Sequence, residues 1–199
     1  MRNGFANMLS YTAALDLIES LALQAELPEQ QVFVTQALGF IAAQDVVAPS
    51  ARPESDISAM DGYAFAHEAM SMSPEGLLVH GVSLAGAQAG DLTLGYAQKI
   101  LTGARIPAGA DCVMAVERMA PLSDTGRIRP LYSLAEKGAN IRRAGEEFHK
   151  GAYLLKKGQQ IDWRHVALLA CQGIKSVAVK ARPRVAIVAN GGELSPSAT

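Results

Sequence analysis

Asp61 stands directly before Gly62 in the heptad Ser58-Ala59-Met60-Asp61-Gly62-Tyr63-Ala64, and an Asp-Gly pair is a tight-turn signal. Gly62 is expected to take a positive φ, bending the peptide so that the Asp61 carboxylate points outward, where it could meet a ligand. Taken alone, the dipeptide reads first as a hairpin turn with a solvated carboxylate. Arg142 and Arg143, between Asn140 and Gly145, carry planar forks of donors suited to phosphate or an oxyanion. Neighbours on an extended segment face opposite ways, so only one of them can serve a given surface. The competing reading makes one a surface charge and pairs the other with Glu146 or Glu147. Thr102-Gly103 offers a hydroxyl and a flexible backbone at a turn, useful to a phosphate or a metal-bound water, although Thr-Gly also ends strands with no ligand near.

Other chemistry has little support. His67, His80, His149 and His165 are scattered without paired ligand spacing, and Cys112 and Cys171 fit reduced, buried thiols better than a disulfide or zinc site. There is no glycine-rich dinucleotide fingerprint and no P-loop, and no metal ligands are assigned. The seven methionines, Met60 included, read as core filler.

The elements that must position these residues change character along the chain. An amphipathic helix is expected over 10–25, with Ala14, Leu17, Ile18, Leu21 and Ala25 on its apolar face and Pro28 ending it. Val32-Phe33-Val34 reads as a short strand, and Thr35 as the cap of a second helix through Ala37, Leu38 and Ile41. From Val46 to Pro130 short apolar runs broken by Gly and Pro, among them Leu77 to Val79, Lys99 to Leu101 and Cys112 to Val116, have β texture. Asp162 is expected to cap a helix that buries Trp163, Val166, Ala167 and Ala170 and stops at Gly173. Val185 to Ala189 is continuously apolar, the pattern of a strand buried on both faces of a parallel sheet.

The fold class expected is therefore mixed and mainly β: a helix/strand base (1–50 and 140–182), an inserted β-rich domain (51–139), and the opening strand of an incomplete α/β domain (183–199), as if the chain were cut after that domain begins. Of 199 residues, 49% are hydrophobic and 19% charged, with a formal net charge of −1. That is globular composition without the electrostatic footprint of a nucleic-acid or acidic-membrane binder. No apolar run approaches the roughly 20 residues of a membrane span, and no apolar core with a cleavage site follows Arg2, so a cytoplasmic protein is expected.

The heptad resembles the signature of the molybdopterin molybdenumtransferase (MoeA) family, whose vertebrate relative is the E domain of gephyrin. Three further segments follow in the family's order. Leu101-Thr102-Gly103-Ala104-Arg105-Ile106-Pro107-Ala108-Gly109-Ala110-Asp111, followed by Val116-Glu117, is similar to the family's Thr-Gly-Ala-x-x-Pro-x-Gly-Ala-Asp segment. Asn140-Ile141-Arg142-Arg143-Ala144-Gly145-Glu146-Glu147 resembles its Asn-Ile-Arg-x-x-Gly-Glu-Asp segment, and Arg184 to Leu194 the strand and turn opening its third domain.

That resemblance implies insertion of molybdate into the dithiolene of adenylylated molybdopterin in molybdenum cofactor biosynthesis, with release of AMP, a magnesium requirement, and a homodimer whose cleft lies between the third domain of one subunit and the β-domain of the other. It implies catalytic positions at Asp61, Thr102 and Glu193 and substrate contacts at Ser58, Gly62, Gly103, Arg142 and Arg143. Because the other third-domain motifs have no counterpart here, the chain alone is expected to be inactive. The sequence departs from the family at Ser55, Ile57 and Gly192, where an aromatic, an amide and a carboxylate are usual. Those departures keep open an alternative: a divergent non-catalytic module that binds a pterin or a protein partner, or serves in dimerisation.

Overall fold

A computed structural model of the chain describes residues 9–122 and 125–187. In chain order its elements are α1 (Tyr11–Gln24), β1 (Glu29–Phe33), β2 (Ile41–Ala42), β3 (Val46–Val47), β4 (Ile57–Ser58), β5 (Gly62–Phe65), α2 (His67–Ser71), β6 (Leu77–Ser83), β7 (Tyr96–Ile100) and β8 (Cys112–Ala115). They continue with β9 (Met119–Leu122), β10 (Arg127–Pro130), β11 (Ile141–Arg142), β12 (Tyr153–Leu155), α3 (Trp163–Cys171) and β13 (Ser176–Lys180). The chain forms two compact units, Met1–Val46 with Leu154–Thr199, and Val47–Tyr153. Residues 140–153 thus lie in the second unit.

In the first unit β13 is the middle strand of an antiparallel sheet ordered β1-β13-β2, and its Val177, Ala178 and Val179 are buried. The Ser10 hydroxyl caps α1 by accepting from the Ala13 N–H, as a short polar residue before an apolar run should. No α1 residue is buried; Leu17, Ile18 and Leu21 of the expected apolar face are exposed. The helix expected after Thr35 does not form. A single 3-10 turn, Val34–Gln36, takes its place, and Gly39 then turns into the left-handed region at φ 81, a conformation that stops a helix. Ile41 and Ala42 are free to pair with Lys180 and Val179 instead.

Asp162 does cap α3, its carboxylate accepting from the Arg164 and His165 N–H groups while His165 accepts from the Asp162 N–H. Gly173 ends the helix at φ 70. The face turned inward is not the expected one, however. Leu169 is buried and Val166 half-buried, whereas Ala167 and Ala170 are exposed and Trp163 is 72% exposed, with the Arg164 guanidinium near its ring. The buried stripe runs one residue earlier in phase, through positions 162, 165/166 and 169, and Trp163 falls beside it. Residues 185–187 of the expected strand at Val185–Ala189 are not in a strand, and Val185 and Ile187 are exposed; such a run needs parallel neighbours to pair with. Val188 and Ala189 lie outside the described residues.

The second unit is built on a six-stranded sheet ordered β8-β5-β7-β6-β10-β9. Only β6 and β7 pair in parallel; the other neighbours are antiparallel. Phe65, Leu77, Met114 and Ile128 form one core cluster, and Ala64, Ile100, Ala104 and Val113 another. The β texture of the sequence matches this sheet. The short helix α2, which buries Met70, was not expected.

Candidate active site

β5 lies between β7 and β8, with Gly62 opposite Ile100 on one side and Ala115 on the other. Antiparallel register then carries Asp61, just before β5, toward the residues that leave β7 and β8. On the β7 side Asp61 Oδ1 accepts from both the backbone N and the Oγ1 of Thr102, each at 2.7 Å. On the β8 side the Val116 N–H donates to the Asp61 carbonyl at 3.0 Å, opening the 3-10 turn Val116–Arg118. Three segments converge on a depression of about 360 Å³ lined by Met60, Asp61, Thr102, Ala115 and Glu117.

Gly62 does not serve as a positive-φ turn residue; it is the first residue of β5 and is not among the glycines with positive φ. A Cβ at Gly62 would run into the Met114 carbonyl oxygen. Close approach of the neighbouring backbone, not turn geometry, requires glycine there. Gly103 does take positive φ, at 78, and turns the chain after Thr102.

The two hydrogen bonds from Thr102, the backbone one first, hold the Asp61 carboxyl below the ordinary carboxylate range, with the charge of Lys99 adding a little. Among the described residues Oδ2 takes no hydrogen bond. Because the Thr102 hydroxyl spends its proton on Asp61, its remaining lone pairs are acceptors. This wall therefore presents acceptor oxygens and the negative charges of Asp61 and Glu117.

Ser58 underlies the wall rather than lining it. Its side chain is buried, at 1% exposure, and Oγ donates to the Met60 carbonyl at 2.6 Å while accepting from the Met60 N–H at 3.3 Å. Its backbone donates to Ala104 O at 2.9 Å and accepts from Gly103 N at 2.8 Å, so β4 fastens the Thr102–Gly103 turn to the signature segment.

Arg142 and Arg143 are not in the depression. Arg142, paired across β11 and β4 with Ile57, gives Nη2 to Glu147 at 2.8 Å and Nε to Glu146 at 3.2 Å. Glu147 also receives Arg52 Nε at 2.9 Å, and Arg142 holds the Glu147 carboxyl below its ordinary value. Arg143 gives Nη1 to Asp56 Oδ2 at 2.6 Å, whose Oδ1 accepts from the Ala144 N–H at 2.9 Å. Both arginines are thus paired, where the sequence reading paired only one. Glu193 lies outside the described residues. Among the described residues no group of three or more His, Cys, Asp or Glu could hold a metal ion, and no helix is long and apolar enough to cross a membrane. Glu117, which sequence reasoning quoted but did not assign, joins Asp61 only because β8 returns beside β5.

Residues 9–173 match the family described as the MoeA N-terminal region (domain I and II). This chain belongs to that family. It is 36% identical over 176 residues to a molybdopterin molybdenumtransferase of Staphylococcus aureus, covering 86% of this chain and 41% of the relative. Over 171 residues it is 35% identical to molybdopterin molybdenumtransferase 2 of Mycobacterium tuberculosis, covering 83% and 42%. Among solved structures, the molybdopterin biosynthesis MoeA protein of Pyrococcus horikosii superposes with a TM-score of 0.74 at 32% identity, covering 92% of this chain and 49% of that one. The chain thus spans less than half the length of these MoeA relatives. Its mainly β architecture with few helices is that of the MoeA N-terminal region.

Proposed function

We propose that this chain supplies the Asp61–Thr102 wall of a molybdopterin molybdenumtransferase cleft, in an enzyme that inserts molybdate into adenylylated molybdopterin during molybdenum cofactor biosynthesis. The observation that carries the reading is that Asp61 and Thr102, from two separate family segments, share one carboxylate oxygen at the edge of a depression. The proposal includes a cytoplasmic homodimer, a base whose chain is interrupted by the β-rich unit Val47–Tyr153, and a third domain beginning near 183. Glu193 would lie in the opening turn of that domain and the remaining anion-binding groups in the rest of it, so the chain alone would not turn over.

The acceptor oxygens of this wall suit hydrogen-bond donors of the pterin. Magnesium is held by one or two carboxylates together with substrate phosphates; Asp61 and Glu117 are the carboxylates of the depression and would contribute oxygens to such an ion. Magnesium would neutralise phosphate charge that this wall would otherwise repel. Arg142 and Arg143 are held by exposed ion pairs, which contribute little in water, so either guanidinium could turn to an incoming phosphate or molybdate at small cost.

The same pairing favours the second reading, a non-catalytic module, since both arginines already have carboxylate partners. Joining the chain to the third domain of a complete relative and assaying molybdate insertion separates the two. Turnover that is lost on Asp61→Asn while the chimera stays folded, with a cooperative melt only modestly lowered at neutral pH, supports the enzyme. A folded chimera that binds molybdopterin without turning over supports the module.

A further inference from the structure

Asn140 is the one non-glycine residue with positive φ, 58, among the described residues. Asparagine tolerates the left-handed region because its short amide can bond locally; here the amide is spent on a tether. Nδ2 donates to the Val113 carbonyl at 2.8 Å, on the buried strand β8, and the Asn140 carbonyl accepts from the Ala59 N–H at 2.9 Å. Val113 in turn donates to Ala139 O at 3.1 Å. One residue thus joins the sheet to the signature segment two residues before Asp61. We infer that Asn140 is a positioning residue for Asp61: it holds the Ala59–Asp61 backbone at the distance from β8 at which the Asp61 carboxylate meets Thr102.

The alternatives nearby do less. Ser58 fixes the Thr102 turn and Val116 fixes the Asp61 carbonyl, but Asn140 holds Ala59 by its backbone carbonyl and is itself anchored to β8 by a side chain that can be replaced without altering a core strand. The bearing on turnover rests on the proposed reading of the Asp61–Thr102 wall. The positional claim does not, because its readouts sit on Asp61 and Thr102 themselves.

The test uses the whole chain in solution. Asn140→Gly keeps the left-handed backbone and removes only the tether to Val113; Asn140→Asp keeps shape but sets an acceptor against the Val113 carbonyl. In both, the Thr102 amide is expected to exchange about tenfold faster, the cost of a weakened hydrogen bond. The carbon-13 titration of the Asp61 carboxyl is expected to rise toward the ordinary Asp value, while slow amides of β5 and β13 keep their rates. Unchanged exchange at Thr102 and an unchanged Asp61 titration in both variants overturn the inference. Uniform acceleration of every amide, or collapse of the unit in both variants, overturns it too, since either makes Asn140 a general fold residue. A chimera that never turns over leaves these readings standing and counts only against the proposed function.

Discussion

Asp61 and Thr102 stand 41 residues apart in sequence, and a single carboxylate oxygen of the first accepts both the N–H and the O–H of the second. Each bond favours the ionised carboxylate. Thr102→Val keeps the N–H and removes the O–H, so the Asp61 carboxyl is expected to titrate higher than in the wild type but still below an ordinary Asp; Thr102→Ser should restore the wild-type curve. Carbon-13 titration of the carboxyl checks this. A Val variant that titrates like the wild type would mean the hydroxyl bond does not form in solution.

Acid should unfold the protein by a route the carboxylates specify. Asp61 is lowered chiefly by the Thr102 backbone N–H, Asp56 by the Ala144 N–H, Asp162 by Arg164 and Glu147 by Arg142. A carboxyl whose folded value is depressed adds stability above its unfolded pKa, and that stability is lost as pH falls through the folded value. The melting temperature is therefore expected to hold from neutral pH down to about 5 and to drop below about 4. The difference between wild type and Asp61→Asn should shrink as pH falls through that range. A gap that widens in acid would contradict the assignment.

Gly62 and Gly103 should respond differently to alanine. At Gly62 the added carbon meets the Met114 backbone, which cannot move without parting β5 from β8, so Gly62→Ala is expected to cost about 3 kcal/mol. At Gly103 the space is nearly open and only the positive φ resists, for a cost of about 1–2 kcal/mol. Denaturant midpoints at constant m-value measure both. Equal losses would count against the close approach at Gly62.

The two cysteines should separate in a thiol assay. Cys112 is fully buried, donates to the Glu136 carbonyl, and burial pushes its thiol up to about 11, so little thiolate exists at pH 8. Cys171 is exposed. One thiol per chain is expected to react in the native protein and the second only on unfolding; two fast thiols would refute the burial of Cys112.

Local signals were legible in the residues themselves. Asp162 announced the start of α3 and Gly173 its end, because a cap acts on backbone groups within four residues of itself. The β texture of the second unit could be read from short apolar runs for the same reason. The helix expected after Thr35 failed on a local signal too: Gly39 interrupts it, but its weight became clear only with β13 beside Ile41 and Ala42. In α3 the period was right and the phase was not, since Trp163, Val166, Leu169 and Ala170 spread apolar side chains over two adjacent stripes and only packing selects one.

For the site, sequence by itself determined which residues were worth attention: Asp61, Thr102, Arg142 and Arg143, with types suited to anions, donors and cations. Tertiary structure decided which of them meet. Antiparallel register around β5 brings Thr102 and Glu117 to Asp61 from two neighbouring strands, while Glu146, Glu147 and Asp56 take the arginines. It also changed the reason for Gly62 from a turn to a contact with Met114. Side-chain chemistry is written residue by residue, but strand register is a property of pairs far apart in the chain, fixed only when a face of the sheet is packed.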